Sequence, residues 1–588
     1  MKRARIILLA ALFVSVALSW PAVAEESSRR QAAAIPPGRE GPLDRDAIAA
    51  ELVKELQANL PAWIKERDVP GVAIAVVDDK EILWQGVYGV IRRSEDRKVT
   101  PRTLFSIQSM SKSFTALAVL MAVQDGLLDL DRPITNYLPD FTVHSRFEES
   151  PQKKMTLRHL LAHRAGFTHE APVGSNFDSR PHTFSEHILS ISDTWLRYPV
   201  GHRYSYSNLG IDLAGWILEK TSGVPFPMYV RDKVLAPMGM TDSTFDIEAV
   251  LRAEDRAAGH VAASAKVEGG IPVAVPMVPA GGVYTNVVDM ARYLMFHINK
   301  GRVGQAQILR RDLIEAMHTV QFPEKGVRFG YGLGLASSHF GPEVYVSHGG
   351  GGYGFTSHMA VYPGLKLGVV VLTNSERNAV VGLVSGVVNK VIEARIGPPG
   401  REYETPAVDT TKPVPPGDER VKRLAGFYSA GVRVGTRNGV FGITVGTEFD
   451  PLTFYEEDGG LVGVFGKYFE LRVKPPVAAG EPGGLLILNR LPGTSSSIDF
   501  HKPEPAADRP GPDKPEWKPF LGSYRTLTWG RTFGFPVAIS VADGYLTFNG
   551  TRCREHAPGL FFTYEGEALD FRGTVATFRN IPLIRTRR

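Results

Sequence analysis

Cysteine is almost absent from this 588-residue sequence, in which Cys553 is the single example. One thiol excludes an intramolecular disulfide and a zinc or iron–sulfur site built from cysteines. Blocks of Lys and Arg are also absent, because the net charge of +5 comes from interspersed acidic and basic residues. We therefore expect no nucleic-acid partner. With 43% apolar and 22% charged residues, the composition excludes a disordered chain and indicates about three globular domains.

The N-terminus has the pattern of a cleaved export signal. Basic residues at positions 2, 3 and 5 precede an apolar run from Ile6 to Trp20, and Ala22-Val23-Ala24 follows. The run is shorter than the roughly 20 residues that a membrane span needs, and the small-residue pattern is that of a cleavage site. We expect cleavage after Ala24 and a periplasmic or secreted protein. The alternative is an uncleaved signal that anchors the chain in the membrane.

Changes in composition divide the rest of the chain. We predict a signal peptide over residues 1–24, a flexible leader over 25–44 and a mixed domain over 45–396. A Pro-rich linker over 397–418, a first β unit over 419–503, and a second linker with a second β unit over 504–588 follow. Leu424–Tyr428 and Phe520–Tyr524 open the two β units in a similar way, and short alternating runs follow each. Two small antiparallel barrels, or one barrel built from both halves, would explain this pattern.

Within the mixed domain, helical and strand patterns alternate. A helical period runs from about Asp44 to Glu66, and Gly71–Val77 with Glu81–Trp84 reads as a β-hairpin across a polar turn. A strand-like Leu367–Leu372 precedes a further helix near 378–395. This alternation predicts a large domain that contains both helices and a sheet.

The first candidate for chemistry is a serine and a lysine at the start of a predicted helix. Ser109 and Lys112 are three residues apart, so both side chains lie on one helix face. A serine hydroxyl becomes a nucleophile when a base takes its proton, and a lysine can be that base if burial and positive potential lower its pKa. The helix N-terminus supplies such potential and can hold an oxyanion. Alone, S-x-x-K is also a pattern that occurs by chance.

Two further segments contain groups that suit the same reaction. Tyr206 and Asn208 are two residues apart in a loop before a helix, where a phenol can relay a proton and a carboxamide can bind a substrate amide. His348 and Gly350 belong to a glycine run that lets a substrate approach the backbone. The structural alternatives are aromatic packing with a helix cap, and a flexible turn. An α/β-hydrolase oxyanion loop is excluded because the chain has no G-x-S-x-G elbow.

Taken together, the order of these motifs resembles that of the serine β-lactamase-related family, especially its class C-like branch with penicillin-binding peptidases, esterases and D-aminopeptidases. Ser109-x-x-Lys112, Tyr206-x-Asn208 and His348-x-Gly350 match its three motifs in order. Further landmarks are similar: Leu157–His163 with Ala165 in place of a serine, Pro279–Gly282 with Asp289, and Gly330–Gly334. The resemblance covers about residues 45–395.

The resemblance implies an α+β fold of the β-lactamase/transpeptidase type, with an antiparallel sheet covered by helices beside an all-helical lobe, followed by the C-terminal β units. It implies Ser109 as nucleophile, Lys112 as base and Tyr206 as proton relay, and it implies that Asn208 binds the substrate amide. The oxyanion hole would use the backbone N–H groups of Ser109 and Gly351. No metal or organic cofactor is implied.

One departure from the family pattern concerns substrate choice. Many β-lactamases and penicillin-binding proteins have Lys-Thr-Gly where this chain has His348-Gly349-Gly350, and a neutral histidine is a weaker anchor for a carboxylate. The same variant is similar to that of D-aminopeptidase-type and esterase-type members, and the D-aminopeptidases also carry two C-terminal β-barrels. We expect an exported hydrolase of small peptide, amide or ester substrates, peptidoglycan-derived ones included, that resembles D-aminopeptidases, D-Ala carboxypeptidases or esterases.

Two alternatives to this function stay open, a β-lactamase and a non-hydrolytic binding protein of the cell envelope. In the second, aromatic residues of the last β unit would line a pocket, although a barrel core explains them as well: Trp529, Phe533, Phe535, Phe561 and Phe562. A metal enzyme is not expected. His159, His163 and His169 are close in sequence, but the glutamate of H-E-x-x-H is missing.

Overall fold

The computed structural model describes residues 44–586. Within that range it leaves out short segments at 179, 262–267, 270–275, 324–328, 341–342, 377–378, 397–407, 429–431, 446–447, 458–459, 466–468, 475–483, 492–493, 502–513, 527–535, 543 and 564. The predicted signal peptide, most of the leader and the first part of the linker lie outside the described residues. The chain divides into two compact units, residues 1–175, 180–194 and 198–400, and residues 176–179, 195–197 and 401–588.

The first unit contains both helices and strands. Its described helices are α1 Arg45–Glu66, α2 Ser111–Gln124, α3 Leu157–Leu161, α4 Phe184–Ser190, α5 Asn208–Ser222, α6 Phe226–Val230, α7 Ile247–Arg252, α8 Val278–Gly281, α9 Val287–Ile298, α10 Arg311–His318 and α11 Ala379–Ile396. Its described strands are β1 Gly71–Val77, β2 Ile82–Gly89, β3 Phe105–Ser106, β4 Gly259–His260, β5 Glu268–Gly269, β6 Tyr284–Thr285, β7 Arg302–Val303, β8 Ala306–Gln307, β9 Gly330–Tyr331, β10 Ala336–Phe340, β11 Glu343–Gly352, β12 Phe355–Tyr362 and β13 Leu367–Thr373.

The main sheet is antiparallel, in the order β2-β1-β13-β12-β11-β10-β9. One face is covered by the first and last helices of the unit. Ile74 of β1 lies opposite Val371 of β13, and both belong to one buried cluster with Leu52 of α1 and Val388 of α11. Alternation along a strand sends every second side chain to this face, which is why valine and isoleucine recur there. The predicted hairpin and both predicted helices are confirmed.

The opposite face of the sheet is covered by α9, whose Leu294 packs so closely on Gly368 of β13 that a β-carbon there would lie 3.1 Å from Leu294 Cβ. Helices α2, α5 and α8 form the second lobe. The Thr115 hydroxyl of α2 donates to the Pro279 carbonyl of α8 over 2.6 Å, and Gly215 of α5 leaves room for the Pro279 ring. The expected α+β, two-lobed architecture is therefore confirmed.

A buried histidine pair links α9 to α10. His297 Nδ1 lies 2.9 Å from His318 Nε2, and among the described residues neither outer ring nitrogen has a partner. Burial lowers the pKa of His297 to about 3 and that of His318 well below its usual range. Both rings are thus neutral in the folded protein near pH 7.

This pair predicts acid-sensitive stability. In the unfolded chain a histidine binds a proton below about pH 6.5, whereas His297 when folded does so only near pH 3, so unfolding takes up a proton between these values. Stability is then lost as the pH falls through this window, by about 2 kcal/mol per such histidine at pH 5. Between pH 7 and pH 5, the free energy of unfolding of His297→Leu should therefore fall by about 2 kcal/mol less than that of the wild type. Urea unfolding, with hydrogen exchange of the α9 peptide as readout, measures this; an equal loss in both proteins would contradict it.

The described residues of the second unit add helix α12 Glu419–Lys422 and two β structures. The strands are β14 Pro413–Val414, β15 Gly426–Phe427, β16 Val432–Arg437, β17 Val440–Val445, β18 Glu448–Glu457, β19 Gly460–Phe465, β20 Phe469–Lys474, β21 Gly484–Leu491, β22 Thr494–His501, β23 Gly522–Thr526, β24 Pro536–Ala542, β25 Tyr545–Phe548, β26 Thr551–Ala557, β27 Leu560–Thr563, β28 Ala568–Asp570, β29 Ala576–Phe578 and β30 Ile581–Arg585.

Strands β15 to β22 pair in sequence order in one antiparallel sheet, which β14 joins by pairing with β18, and strands β23 to β30 form a closed barrel in which β23 pairs with β30. The expectation of barrel-like β units is confirmed, and each half forms a sheet of its own rather than a shared barrel. Phe561 is buried in the barrel core with Cys553, and Phe562 is buried as well. The aromatic residues predicted at 529, 533 and 535 lie outside the described residues. No helix among those described is both long and apolar enough to cross a membrane.

Candidate active site

The candidate nucleophile lies at the turn that leads into α2. After β3, residues Gln108–Met110 form a 3-10 turn and α2 begins at Ser111. Gln108 has a φ of 49°, and its side-chain amide donates to Ser106 Oγ over 2.7 Å. The first twelve residues of α2 are all buried, the polar ones near its start as well as the apolar ones that follow. The turn is thereby fixed to a buried helix, and Ser109 lies on it.

Lys112 is fully buried beside this serine. Its side chain is 0% exposed, and its Nζ lies 3.1 Å from Ser109 Oγ and 2.9 Å from the Ala280 carbonyl oxygen. The amide N–H of Ala280 donates in turn to Asp212 Oδ1 over 2.9 Å. Asp212 is itself buried and paired with His187. One residue of α8, Ala280, therefore contacts the lysine amine through its carbonyl and a buried carboxyl group through its N–H.

The second motif lies at the start of α5. Ser207 caps this helix through its side chain, so the predicted cap is present alongside the functional residues. Lys112 Nζ lies 5.0 Å from the centre of the Tyr206 ring. The Asn208 carboxamide donates to Glu170 Oε1 over 3.2 Å. The phenol ring of this motif thus lies beside the lysine amine, and its carboxamide is bonded to the carboxyl group of Glu170.

The third motif occupies the end of β11, next to a two-residue turn. Tyr353 and Gly354 both have positive φ angles, 53° and 86°, which is the pattern of a type I′ hairpin turn. Gly352 and Phe355 close this turn. Since hydrogen-bonded and non-hydrogen-bonded pairs alternate along an antiparallel ladder, the N–H of Gly351 points away from β12. The other neighbour of β11 is β10, and in the described residues its pairing with β11 ends at Ser347. The N–H of Gly351 therefore lies on the side of β11 that has no strand partner at this position among the described residues.

The glycine run also allows close contact with the turn that carries the serine. A β-carbon on Gly350 would lie 2.0 Å from the Ile107 carbonyl oxygen and 2.6 Å from Ser357 Oγ. Ser357 already donates to that same Ile107 carbonyl over 2.9 Å. Glycine is therefore required at position 350 for β11 to reach the backbone two residues before Ser109.

His348 is held in one neutral form. Its Nδ1 lies 2.6 Å from the Gly349 carbonyl oxygen, which can only accept, so Nδ1 carries the proton. Its Nε2 then accepts from the Tyr331 hydroxyl, 2.8 Å away. Burial, reinforced by the nearby Lys112, lowers the pKa of His348 to about 3. The third motif accordingly presents no positive charge near pH 7.

The structure brings the predicted site residues together. Ser109, Lys112 and Tyr206 are neighbours, the His348 ring centre is 6.4 Å from that of Tyr206, and β11 packs on the turn that carries the serine. Three buried residues around this site have contacts that the sequence motifs did not reveal: His163, Glu170 and Asp212. Asp212 is four residues after Asn208 on α5, a helical spacing that could have indicated it.

The three histidines considered for a metal have separate partners. His159 Nδ1 lies 2.9 Å from Thr156 Oγ1, His163 Nδ1 accepts from the Ser207 N–H over 3.2 Å, and His169 Nδ1 lies 2.7 Å from Glu170 Oε1. Within the part of the chain that the structure describes, no group of three or more His, Cys, Asp or Glu side chains could hold one metal ion.

A two-lobed α+β fold with a buried lysine against a serine at a helix start defines the β-lactamase-like class of proteins. The Beta-lactamase family matches residues 47–384, which is more than half of the chain, and the chain belongs to this family.

Curated relatives include esterase EstB of Burkholderia gladioli, which is 30% identical over 208 residues, 34% of this chain and 52% of that protein. The unguisins hydrolase ungD′ of Aspergillus campestris is 26% identical over 60% of this chain and 66% of its own length. Protein flp of Staphylococcus aureus strain COL is 22% identical over 56% of this chain and 64% of its own length. The chain thus covers about half to two thirds of these relatives.

Solved structures agree on the fold. The octameric penicillin-binding protein homologue from Pyrococcus abyssi aligns with 76% of this chain and 100% of its own, with a TM-score of 0.51 and 24% identity. The crystal structure of SurE aligns with 78% of this chain and 99% of its own, with a TM-score of 0.54 and 23% identity. The named relatives, among them an esterase and a hydrolase, support a hydrolase.

Proposed function

We propose that this protein is an exported serine hydrolase that cleaves peptide, amide or ester bonds through an acyl-enzyme on Ser109. The observation that carries the proposal is the 3.1 Å separation between Ser109 Oγ and the buried Lys112 Nζ. A serine hydroxyl becomes nucleophilic when an adjacent base takes its proton. An amine enclosed by a serine hydroxyl, a carbonyl and an aromatic ring suits that role better than a structural one.

In the acylation step, Lys112 takes the proton of Ser109 while Oγ bonds to the substrate carbonyl carbon. The carbonyl oxygen becomes an oxyanion, which the N–H groups of Ser109 and Gly351 stabilise. Tyr206 passes a proton from Lys112 to the leaving group as its bond to the carbonyl carbon breaks. Asn208 binds the substrate amide. The products are an ester on Ser109 and a neutral alcohol or amine.

In the deacylation step, water attacks the ester carbon and gives up a proton to the same basic groups. The oxyanion forms again in the same place, and the bond to Ser109 Oγ breaks as the serine regains its proton. The acyl group leaves as a carboxylic acid. Each proton that Lys112 takes is returned, so the cycle needs no cofactor.

The substrate class follows from His348. Because this ring is neutral and both of its nitrogens are occupied by Gly349 and Tyr331, it gives no charged anchor for a substrate carboxylate. We therefore propose esters and amides, including D-aminoacyl amides, ahead of β-lactams and peptides that end in a carboxylate.

The test is covalent labelling followed by a substrate panel. A fluorophosphonate probe should modify the full-length protein once, and peptide mapping should place the label on Ser109. Turnover should then be highest with p-nitrophenyl esters or D-alanyl amides, and low with nitrocefin and D-Ala-D-Ala peptides. Absence of label, or label on another residue, would sink the acyl-enzyme proposal. Preferred turnover of nitrocefin would favour the β-lactamase alternative.

Export is a separate part of the proposal, and it rests on the sequence of residues 1–24. Expression with the native N-terminus in a Gram-negative host should give a mature protein in the periplasm or medium that begins at Glu25. Edman or mass-spectrometric sequencing of the N-terminus checks this. A full-length protein retained in the cytoplasm would contradict it.

Two glycine-to-alanine changes should have opposite effects. Gly350→Ala places a β-carbon 2.0 Å from the Ile107 carbonyl oxygen, so β11 must move away from the turn that carries Ser109. Displacements of about 1 Å can cost about 100-fold in rate, and we expect a loss of that size in kcat/KM together with a lower melting temperature.

The matched control is Gly386→Ala, at an exposed position of α11 where a β-carbon meets nothing within 4 Å. Alanine there should stabilise the helix by about 1 kcal/mol without changing activity. Ester hydrolysis and thermal melting measure both variants. Equal activity in the two would show that the close contact at Gly350 is unimportant.

A further inference from the structure

Tyr206 lies in a short segment without regular secondary structure. The position of its phenol therefore depends on the hydrogen bonds made by the residues on either side. The N–H of Ser205 donates to the His163 carbonyl oxygen over 2.8 Å. The N–H of Ser207 donates to His163 Nδ1 over 3.2 Å. One residue therefore accepts the backbone hydrogen bonds that flank the tyrosine, one with its main chain and one with its side chain.

The backbone of His163 is in an unusual conformation that accompanies this contact. It follows α3 with a φ of 55°, in the left-handed region that a residue other than glycine rarely adopts. Such conformations cost about 1–3 kcal/mol and persist when surrounding contacts fix them. The contacts of His163 with the segment that contains Tyr206 are among those that surround this backbone.

The imidazole of His163 also packs directly on the phenol. The two ring centres are 4.5 Å apart, and Tyr331 packs on the same imidazole at 4.7 Å. The histidine is 2% exposed. Because its Nδ1 accepts from Ser207, the proton of the neutral ring is on Nε2, and no acceptor reaches Nε2 among the described residues. Burial and the nearby Lys112 hold the pKa of His163 well below its usual range, which keeps Nδ1 an acceptor.

We propose that His163 is the positioning residue for Tyr206: by holding both flanking amides and one face of the ring, it places the phenol where it can deliver a proton to the leaving group. This inference rests on the proposed function, in which Tyr206 is the proton relay. It identifies a residue that lies outside the three motifs and that efficient cleavage also requires.

Two esters with different leaving groups can distinguish the loss of this positioning role from a general loss of structure. A p-nitrophenolate departs without being protonated, whereas a simple alkoxide must receive a proton as it leaves. Misplacing the phenol should therefore slow acylation by an alkyl ester and spare acylation by a p-nitrophenyl ester of the same acid. The ratio of the two kcat/KM values belongs to the active molecules alone, so partial unfolding of a variant does not change it.

The experiment measures that ratio for the wild type and for His163→Ala, His163→Asn, Tyr206→Phe and the double variant His163→Ala/Tyr206→Phe. We expect His163→Ala to lower kcat/KM for the methyl ester by about 10- to 100-fold, which is at or below the lower end of the loss expected when a proton transfer is removed outright, because the phenol is displaced but still present. The value for the p-nitrophenyl ester should change less than threefold. Asparagine tolerates a positive φ and offers an oxygen near the place of Nδ1, so His163→Asn should recover most of the loss.

The double variant decides whether His163 acts through the tyrosine. If it does, His163→Ala should add no further loss once Tyr206 is phenylalanine. His159→Ala is the control, since His159 lies on α3 just before His163 but bonds to Thr156; its ratio should equal that of the wild type.

Parallel losses with both esters, additive losses in the double variant, or no rescue by asparagine would each overturn the inference. These outcomes differ from failure of the proposed function, in which the wild type itself would hydrolyse neither ester.

Discussion

Ser109→Ala is expected to lower kcat/KM for every substrate by at least about 10⁴-fold, the scale on which hydrolases that act through a serine nucleophile lose activity when it is removed. The change removes one oxygen and leaves the backbone N–H of residue 109 in place. Lys112 keeps its contact with the Ala280 carbonyl oxygen, 2.9 Å away. The fold should therefore persist while the covalent step is lost. Progress curves with a p-nitrophenyl ester measure the effect, at enzyme concentrations high enough to detect the residual activity.

The matched control for this variant is Ser113→Ala, one helical turn further along α2. Ser113 is also buried, and its hydroxyl donates to the Met110 carbonyl oxygen over 2.8 Å. The buried Tyr293 hydroxyl donates to Ser113 Oγ over 2.8 Å and would lose this acceptor. The substitution should therefore cost about 1–3 kcal/mol of stability, with activity within about threefold of the wild type. If Ser109→Ala retained more than about 1% of the activity, while Ser113→Ala behaved as expected, the nucleophile would have to be sought elsewhere.

Much of the fold was accessible from the sequence because the deciding signals are local. The polar turn between β1 and β2 and the spacing of apolar residues in α1 each specify one element without reference to the rest. The same holds for the ordered motifs, which carry the family resemblance. The sequence therefore predicts that these motifs meet around Ser109.

Closure of the last barrel is a different case. It depends on β23 pairing with β30, whose partners Tyr524 and Arg585 are far apart in sequence. No local pattern marks such a pair, and the first sheet of the same unit, with similar short strands, has a different arrangement. For this reason the sequence alone does not distinguish one barrel from two.

The sequence alone also does not predict the residues that support the site. The role inferred for His163 arises from a positive φ and from two amide groups 42 and 44 residues further along the chain. In the sequence, the same histidine was one of three that could suggest a metal. The hydrogen bond that His348 Nε2 accepts likewise comes from Tyr331, which approaches because β9 and β11 lie in one sheet. These are tertiary contacts between residues that have ordinary sequence neighbours.

Lys112→Met tests the remaining member of the reacting pair and should separate activity from stability. Methionine has a similar length but no group that can accept a proton, so acylation of Ser109 should slow by about 10³-fold or more. Stability should not fall in parallel. A fully buried lysine is costly unless it is well paired, and an apolar side chain of similar shape removes that cost while leaving the Ala280 carbonyl with one hydrogen bond fewer.

We therefore expect a melting temperature equal to or above that of the wild type in a protein that has lost its activity. Lys112→Ala is the control for packing, because it removes the same amine but leaves a cavity, which should lower stability by about 2–5 kcal/mol. Rates of fluorophosphonate labelling measure acylation in both variants, and thermal melting measures stability. If Lys112→Met were labelled at the rate of the wild type, the amine would not be the base. A lower melting temperature with normal labelling would instead identify Lys112 as a structural residue of α2.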